Sequence, residues 1–197
     1  MKRYGEDYRR EASGYEYTGE WYKSSQPWEK VKGEALWVGG ILLLEFLAFV
    51  AALSFENQAG RVLWVLLPFA SMGLPLAYGL MGSASLYLFC KRQENGRLMR
   101  SDGGTRVIVP REHEGEMVRA EYEKGVRRPW RSAIALCLLS LLSLGGDLWL
   151  LVREHQDLTL GRELLFALLC LGILFCSLWL LWKTTKIRKK ICISLQD

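Results

Sequence analysis

Four long apolar runs dominate the chain, and polar segments separate them. They cover about Ala35–Phe55, Val62–Phe89, Ser132–Val152 and Leu164–Trp182. About 20 helical residues, each rising 1.5 Å, cross a hydrocarbon core about 30 Å thick. Soluble helices keep a polar face, whereas the fourth run has no charged residue at all. The pattern therefore predicts an all-α integral membrane protein, built as a bundle of four transmembrane helices.

Polar and apolar segments together divide the chain into five parts. We expect a cytoplasmic aromatic-rich tail (1–33), a first transmembrane hairpin (34–90), a cytoplasmic basic block (91–131), a second transmembrane hairpin (132–182) and a cytoplasmic basic tail (183–197). The bundle is thus predicted to consist of two tandem hairpins.

The positions of the basic residues predict an orientation. Of the 26 Lys and Arg residues, 23 lie in the two tails and the central block, and three lie in the two short turns. Basic residues near span ends favour the cytoplasmic side. We therefore expect a multi-pass protein of the plasma (cytoplasmic) membrane with both termini in the cytoplasm.

The basic tail is predicted to contact anionic lipid headgroups. Its charges contribute about 1 kcal/mol each at such a surface. They are Lys183, Lys186, Arg188, Lys189 and Lys190.

The cytoplasmic segments carry signals for short strands and one helix. Residues 14–19 alternate aromatic and polar side chains between glycines, which favours a short strand or turn. Thr105–Val109 is predicted to form one strand of a β-hairpin. Pro110 is then expected to open a helix that ends at Gly125. Its first turns would hold Glu112, Glu114 and Glu116, and its thin apolar stripe (Val118, Tyr122, Val126) would face the membrane or the N-terminal tail.

Two acidic residues lie inside the apolar runs. Glu45 is near the middle of the first, and Asp147 is nearer one end of the third. Ser140 and Ser143 share a helix face with Asp147, and this polar stripe must face protein or water. The four residues form a candidate ion or proton site. The alternative role for Glu45 is that of a protonated, hydrogen-bonded packing residue. No partner for it is evident in the sequence, and the fourth run shows no partner group.

The second apolar run is interrupted by helix-breaking residues. Pro68 and Pro75 each remove a backbone hydrogen bond, which makes them a candidate hinge or a static kink. Gly79 and Ser83 are spaced for close contact with a neighbouring helix.

Matching residues recur at an offset of 101 to 102 positions. Pro27-Trp28 aligns with Pro129-Trp130, and Glu45 aligns with Asp147. We therefore predict a tandem duplication. Its two polar modules, Arg10–Trp28 and Arg111–Trp130, are expected to pair with each other.

These features exclude several classes of function. The five cysteines form no CxxC pair, and the two histidines belong to no nucleophile–base or metal motif, so neither an enzyme nor a cofactor is predicted. Seven acids interleave with the eleven bases of the central block, which argues against nucleic-acid binding. We expect a non-enzymatic membrane protein whose cytoplasmic segments bind headgroups, a protein partner or a second copy. The alternative is a small proton- or cation-coupled transporter or channel component that uses Glu45 and Asp147.

Overall fold

The computed structural model describes residues 8–11, 14–54, 63–94, 100–102, 105–108, 115–153 and 160–193. Its helices are α1 (Trp28–Leu53), α2 (Leu63–Ser71), α3 (Gly73–Glu94), α4 (Arg119–Tyr122), α5 (Arg128–Arg153) and α6 (Leu160–Lys190). A π-helix, Glu123–Arg127, joins α4 to α5. Four stretches are long and apolar enough to cross a membrane: Trp28–Leu53, Val65–Gln93, Arg119–Leu150 and Leu164–Lys190. The prediction of four membrane-spanning helices is confirmed at this level.

The spans form a closed ring of packed helices. Helix α1 packs against α3 and α6, and α5 packs against α2, α3 and α6. The buried residues of α1 recur every three or four positions, at Val31, Ala35, Val38, Leu42, Glu45, Phe49 and Ala52. The opposite face exposes large apolar side chains, including Trp37 and Leu44, as expected for a helix in contact with lipid.

The second span is broken between its two prolines. Helix α2 ends at Ser71 and α3 begins at Gly73, with the Met72 amide bonded to the Phe69 carbonyl. The kink is also held from outside, because the Ser132 hydroxyl of α5 donates to the Pro75 carbonyl over 2.5 Å. A break at the prolines is therefore present, whereas hinge motion stays a prediction.

Small residues bring α3 very close to α5 and α1. A Cβ added at Gly79 would lie 2.5 Å from the Ser132 hydroxyl oxygen, and one added at Gly82 would lie 2.6 Å from Cδ of Pro129. Ser83 faces Gly39 of α1 in the same way. The spacing of Gly79 and Ser83 thus serves two different neighbours.

The same contact brings Gly82 beside Cβ of Arg128, the first residue of α5. Further along α3, Phe89 and Cys90 are buried by protein. The second candidate span, Val65–Gln93, includes both of these residues.

Two small sheets lie at one end of the bundle. One has the order β1-β2-β5-β4, formed by Tyr8–Glu11, Gly14–Tyr17, Thr105–Ile108 and Arg100–Asp102; the other has the order β6-β3-β7, formed by Met117–Val118, Trp21–Ser24 and Ile191–Ile193. The pairing of β4 with β5 is the expected hairpin, and β2 is the expected strand near residue 14. The rest of the described chain is mostly helical, as predicted.

Within the described residues, the helix expected from Pro110 to Gly125 is absent at residues 116–118 and does not stop at Gly125. Glu116 precedes β6 and lies outside a helix, and the helix begins at Arg119. It then passes through Gly125 as the π-helix and continues into α5. Gly125 does not end the helix but allows α3 to approach it closely, since an added Cβ would lie 3.2 Å from the Leu86 backbone. Pro110, Glu112 and Glu114 lie outside the described residues.

We call β3, β6, β7, α4 and the π-helix the platform. The opposite end of the bundle, where α1 and α5 end and α6 begins, is called the hairpin end. The platform joins the segments that precede α1, precede α5 and follow α6. All three therefore meet at the same end of the bundle.

The close contact of α3 with α5 predicts the effect of one substitution. Gly82→Ala forces a methyl group onto the Pro129 ring, and overpacking costs about 1–3 kcal/mol, partly offset by about 1 kcal/mol of helix propensity. We expect a lower midpoint of thermal unfolding in lipid nanodiscs. Gly40→Ala is the control, because an added Cβ there meets nothing within 4 Å. Equal midpoints for the two variants would contradict this packing.

Candidate functional site

Glu45 lies in the interior of the bundle, near the middle of α1. Its side chain is 1% exposed, and its Oε1 accepts a hydrogen bond of 3.0 Å from the Ser177 hydroxyl of α6. Its Oε2 has no hydrogen-bond partner among the described residues. The structure therefore turns Glu45 toward protein, as its position within an apolar run predicts, and links it to the fourth span.

Ser177 is the partner that the sequence did not reveal. The fourth span was expected to offer no group to Glu45, and that expectation was wrong. A single hydroxyl within an apolar run is a weak signal, because Ser and Thr in helices commonly bond to their own backbone. Thr184 does so, donating to the Leu180 carbonyl of the same helix.

Asp147, Ser140 and Ser143 all lie on the buried face of α5, each 0% exposed. The stripe thus faces protein, as expected. Asp147 interacts electrostatically with Cys170, whereas Glu45 is bonded to Ser177. These two positions on α6 are seven residues apart, or about 10 Å along the axis. The two acids therefore lie at different depths of the bundle.

Apolar side chains cover this polar interior on both sides. Toward the hairpin end, Phe69 packs against Phe49 and Phe166, with ring centroids 5.2 and 5.0 Å apart. Toward the platform, Leu42 and Leu180 are buried about one turn from Glu45 and Ser177. The acids are therefore occluded from either end.

A cavity lies nearer the platform, where the four spans meet. Its lining includes Ser83, Gly125, Pro129 and Thr184. Its volume of about 10 Å³ suffices for about one water molecule. It is too small to bind an organic substrate.

Aromatic contacts hold the platform together. The ring of Tyr22 stacks on Tyr122 with centroids 4.1 Å apart, and its hydroxyl donates to Glu20 over 2.9 Å. Burial raises the pKa of Tyr22, and the hydrogen bond to Glu20 raises it further. Tyr22 therefore stays neutral at physiological pH and remains a donor.

The predicted apolar stripe packs on the N-terminal segment. Val118, Tyr122 and Val126 are each buried, and Val118 pairs with Trp21 across β6 and β3. The Trp28 indole donates to the Gly115 carbonyl over 2.7 Å. Of the two surfaces offered by the sequence, the tail is the one that the stripe contacts.

The basic tail continues α6 as far as Lys190, and its charges have different surroundings. Lys190 contacts Glu34 at 2.8 Å and Gln26 at 3.0 Å, and Lys183 lies 3.7 Å from Glu34. These two lysines tie α6 to the start of α1. They are therefore engaged within the protein.

The remaining three charges of the basic tail belong to Lys186, Arg188 and Lys189. Lys186 lies over the Trp182 ring at 3.7 Å, and Arg188 over Trp130 at 4.5 Å. Lys186 and Lys189 are exposed. These two are the members of the tail best placed to reach a headgroup.

The described residues contain no group of three His, Cys, Asp or Glu side chains arranged to hold a metal ion. The acids Glu45 and Asp147 instead have hydroxyl and thiol neighbours. Such groups exchange protons and hydrogen bonds rather than bind a divalent ion tightly.

No family model, curated protein or solved structure matches this chain.

The bond between Ser177 and Glu45 predicts a stability difference. Ser177→Ala leaves Glu45 Oε1 buried without its donor, which costs about 1–3 kcal/mol. Ser83→Ala is the control, because that buried hydroxyl donates within its own helix to the Leu80 carbonyl. We expect thermal unfolding in nanodiscs at a lower temperature for Ser177→Ala than for Ser83→Ala. The opposite order would show that the Glu45 contact contributes little.

Proposed function

We propose that this chain is a non-enzymatic, multi-pass membrane protein whose platform binds a protein partner. One observation carries the proposal: three segments far apart in sequence contribute β3, β6 and β7 to a single sheet. Trp21 and Val118 form a small core of their own with Tyr17, whereas Tyr22 and Tyr122 extend the core of the bundle into the platform. A chain that needed only to anchor itself would not require such a structure.

The exposed residues of the platform support a binding role. Thr18, Glu20, Lys23 and Ser25 are exposed around β3, in a segment whose Trp21 and Tyr22 are buried. The surface offered to a partner is thus polar, with both charge signs. The neighbouring sheet adds a second means of binding, because β1 and β4 are its outer strands, and an outer strand accepts an extended peptide through its backbone.

The orientation of the protein is part of this proposal. The platform and both termini would face the cytoplasm, in the plasma membrane, since 23 of the 26 basic residues lie on that side. Tandem hairpins from a duplication fit the shared Pro-Trp positions. Lys186 and Lys189 would contact anionic headgroups, with Lys183, Arg188 and Lys190 contributing charge from their positions within the fold.

A second candidate function rests on Glu45. A buried acid inside a span is a feature of proton and ion pathways. A small proton- or cation-coupled transporter is therefore the alternative. It is separated from the first by flux measurements on reconstituted vesicles, in which Glu45→Gln would abolish any flux that depends on this acid.

Chemical labelling tests the proposed orientation. Cys192 is exposed in β7, so a membrane-impermeant maleimide should label it only after cells are permeabilised. In a Cys192→Ser background, Asn57→Cys should be labelled in intact cells. Asn57 lies between the first two apolar runs of the sequence, outside the described residues. Labelling of Cys192 in intact cells would show that the protein has the opposite orientation.

Site-specific crosslinking tests partner binding. A photo-crosslinking amino acid at Lys23, on the exposed side of β3, should yield one discrete protein adduct in cells. The same group at Leu44, which is 58% exposed on the lipid-facing side of α1, should yield none. Tyr22→Ala should reduce the Lys23 adduct by removing the stack with Tyr122.

The crosslinking result has two informative alternatives. An adduct with a second copy of the chain would identify the partner as a homo-oligomer. No adduct from Lys23, together with flux that Glu45→Gln abolishes, would favour transport over the platform role.

A further inference from the structure

Helix α5 carries a stripe of buried polar groups in the hairpin half of the bundle. Ser140, Ser143 and Asp147 are spaced three and four residues apart, so they follow one helix face. All are 0% exposed, and the Ser140 and Ser143 hydroxyls have no hydrogen-bond partner among the described residues. Leaving a buried polar group unsatisfied costs about 1–3 kcal/mol. Two such hydroxyls in succession, followed by Asp147, make this face of α5 a polar strip inside the bundle.

The stripe begins at the depth of Glu45 and ends at that of Asp147. Cys137, one turn before Ser140, interacts electrostatically with Glu45. At the other end Asp147 interacts with Cys170 of α6, which lies two turns from the Ser177 that donates to Glu45. Along both α5 and α6, the two acids are therefore joined by one continuous buried strip about 10 Å long.

The chemistry of the strip matches a proton better than a metal ion. Hydroxyl and carboxylic acid groups both donate and accept hydrogen bonds, as a relay requires. The acids are too far apart to bind one cation together. Among titratable groups of the described residues, Cys137 of α5 and Cys176 of α6 interact with Glu45, and the packed helix α3 buries apolar Leu76.

We propose that Asp147, Ser143, Ser140 and the Glu45–Ser177 pair form an enclosed proton-transfer path between the two carboxyl groups. Neighbouring side chains on the stripe are about 5–6 Å apart at their Cβ atoms, a gap that one bridging water spans. The Asp147 acid releases its proton to the first water or hydroxyl. Each intermediate group passes on one proton as it receives one, and Glu45 accepts the last. One proton moves in total, and every hydroxyl is restored.

The packing determines which side the path opens toward. The hairpin side is closed by the rings of Phe49, Phe69 and Phe166. These rings come from three different helices and touch one another through their side chains. On the platform side, the bundle is closed by Gly79, which lies so near Leu42 and Ser132 that an added Cβ would overlap the Ser132 hydroxyl. The path therefore exchanges protons with the hairpin side, through movement of the phenylalanine rings. It does not depend on partner binding by the platform, and it gives the transport alternative a specific ligand.

Time-resolved infrared spectroscopy of the full chain in lipid vesicles tests the path. The carboxylic acid band of Glu45 is identified by its loss in Glu45→Gln, and its growth is followed after the hairpin side is acidified. We expect Ser143→Ala to slow this growth about tenfold or more, since one lost hydrogen bond changes a rate by about that factor. Asp147→Asn should slow it similarly, and Phe69→Ala should accelerate it by loosening the ring cluster.

Matched variants separate the relay from simple packing. Ser143→Thr keeps a hydroxyl and should restore most of the rate, and Ser83→Ala removes a buried hydroxyl away from the path and should leave the rate unchanged. Ser140→Ala repeats the test if Ser143→Ala fails to fold. Unchanged growth of the Glu45 band in Ser143→Ala, Ser140→Ala and Asp147→Asn would overturn the path. Crosslinking from Lys23 should be unaffected in all of them, so failure of the path is distinguishable from failure of partner binding.

Discussion

The close packing of α3 against α5 determines the register of the bundle. Arg128 begins α5 directly beside Gly82, and the Pro129 ring fills the space that a larger residue at Gly82 would occupy. Only glycine at this level lets the two helices approach so closely, because an added Cβ would lie 2.6 Å from Cδ of Pro129. Further along α3, Phe89 and the Trp28 ring pack edge to face. The glycine contact therefore sets the level at which α3 meets the start of α5.

The cost of placing charge in hydrocarbon explains which features could be predicted from the sequence. Four spans follow from length and composition alone, and the inward direction of Glu45 follows from the expense of an exposed acid combined with the helical period. Each of these conclusions can be drawn from the sequence of one helix. The partner of Glu45 can be identified only when two helices are packed together, because Ser177 is 132 residues away. Its hydroxyl could equally have bonded to the backbone of its own helix.

Pairing between distant segments was also beyond the reach of local patterns. The strand near residue 14 was predictable from alternation, but its parallel pairing with Thr105–Ile108 was not. Gly125 illustrates a different limit, since glycine marks helix ends and close helix contacts alike. The wrong helix boundary arose because the neighbouring Leu86 backbone, which selects between these roles, belongs to another span.

The two segments of the proposed duplication share residues but differ in backbone structure. Trp21–Ser24 is a strand, whereas the aligned residues Tyr122–Gly125 are helical. Both tryptophans of the Pro-Trp pairs nevertheless donate an indole hydrogen bond: Trp28 to Gly115, and Trp130 to Thr185. Similar residues in the two segments therefore keep a similar polar contact while the backbone follows different neighbours. The duplication itself stays a prediction.

The platform and the polar interior of the bundle are physically continuous. Strand β3 leads into α1, which carries Glu45; β6 leads through the π-helix into α5, which carries Asp147; and β7 directly follows α6, which carries Ser177. Each strand of the small sheet is thus the extension of a helix that contributes to the acid-lined interior. Helices are stiff along their axes, and no loop intervenes between Ser177 and β7. A partner that shifts one strand of this sheet relative to another must also shift the helices that hold Glu45 against its hydroxyl donor.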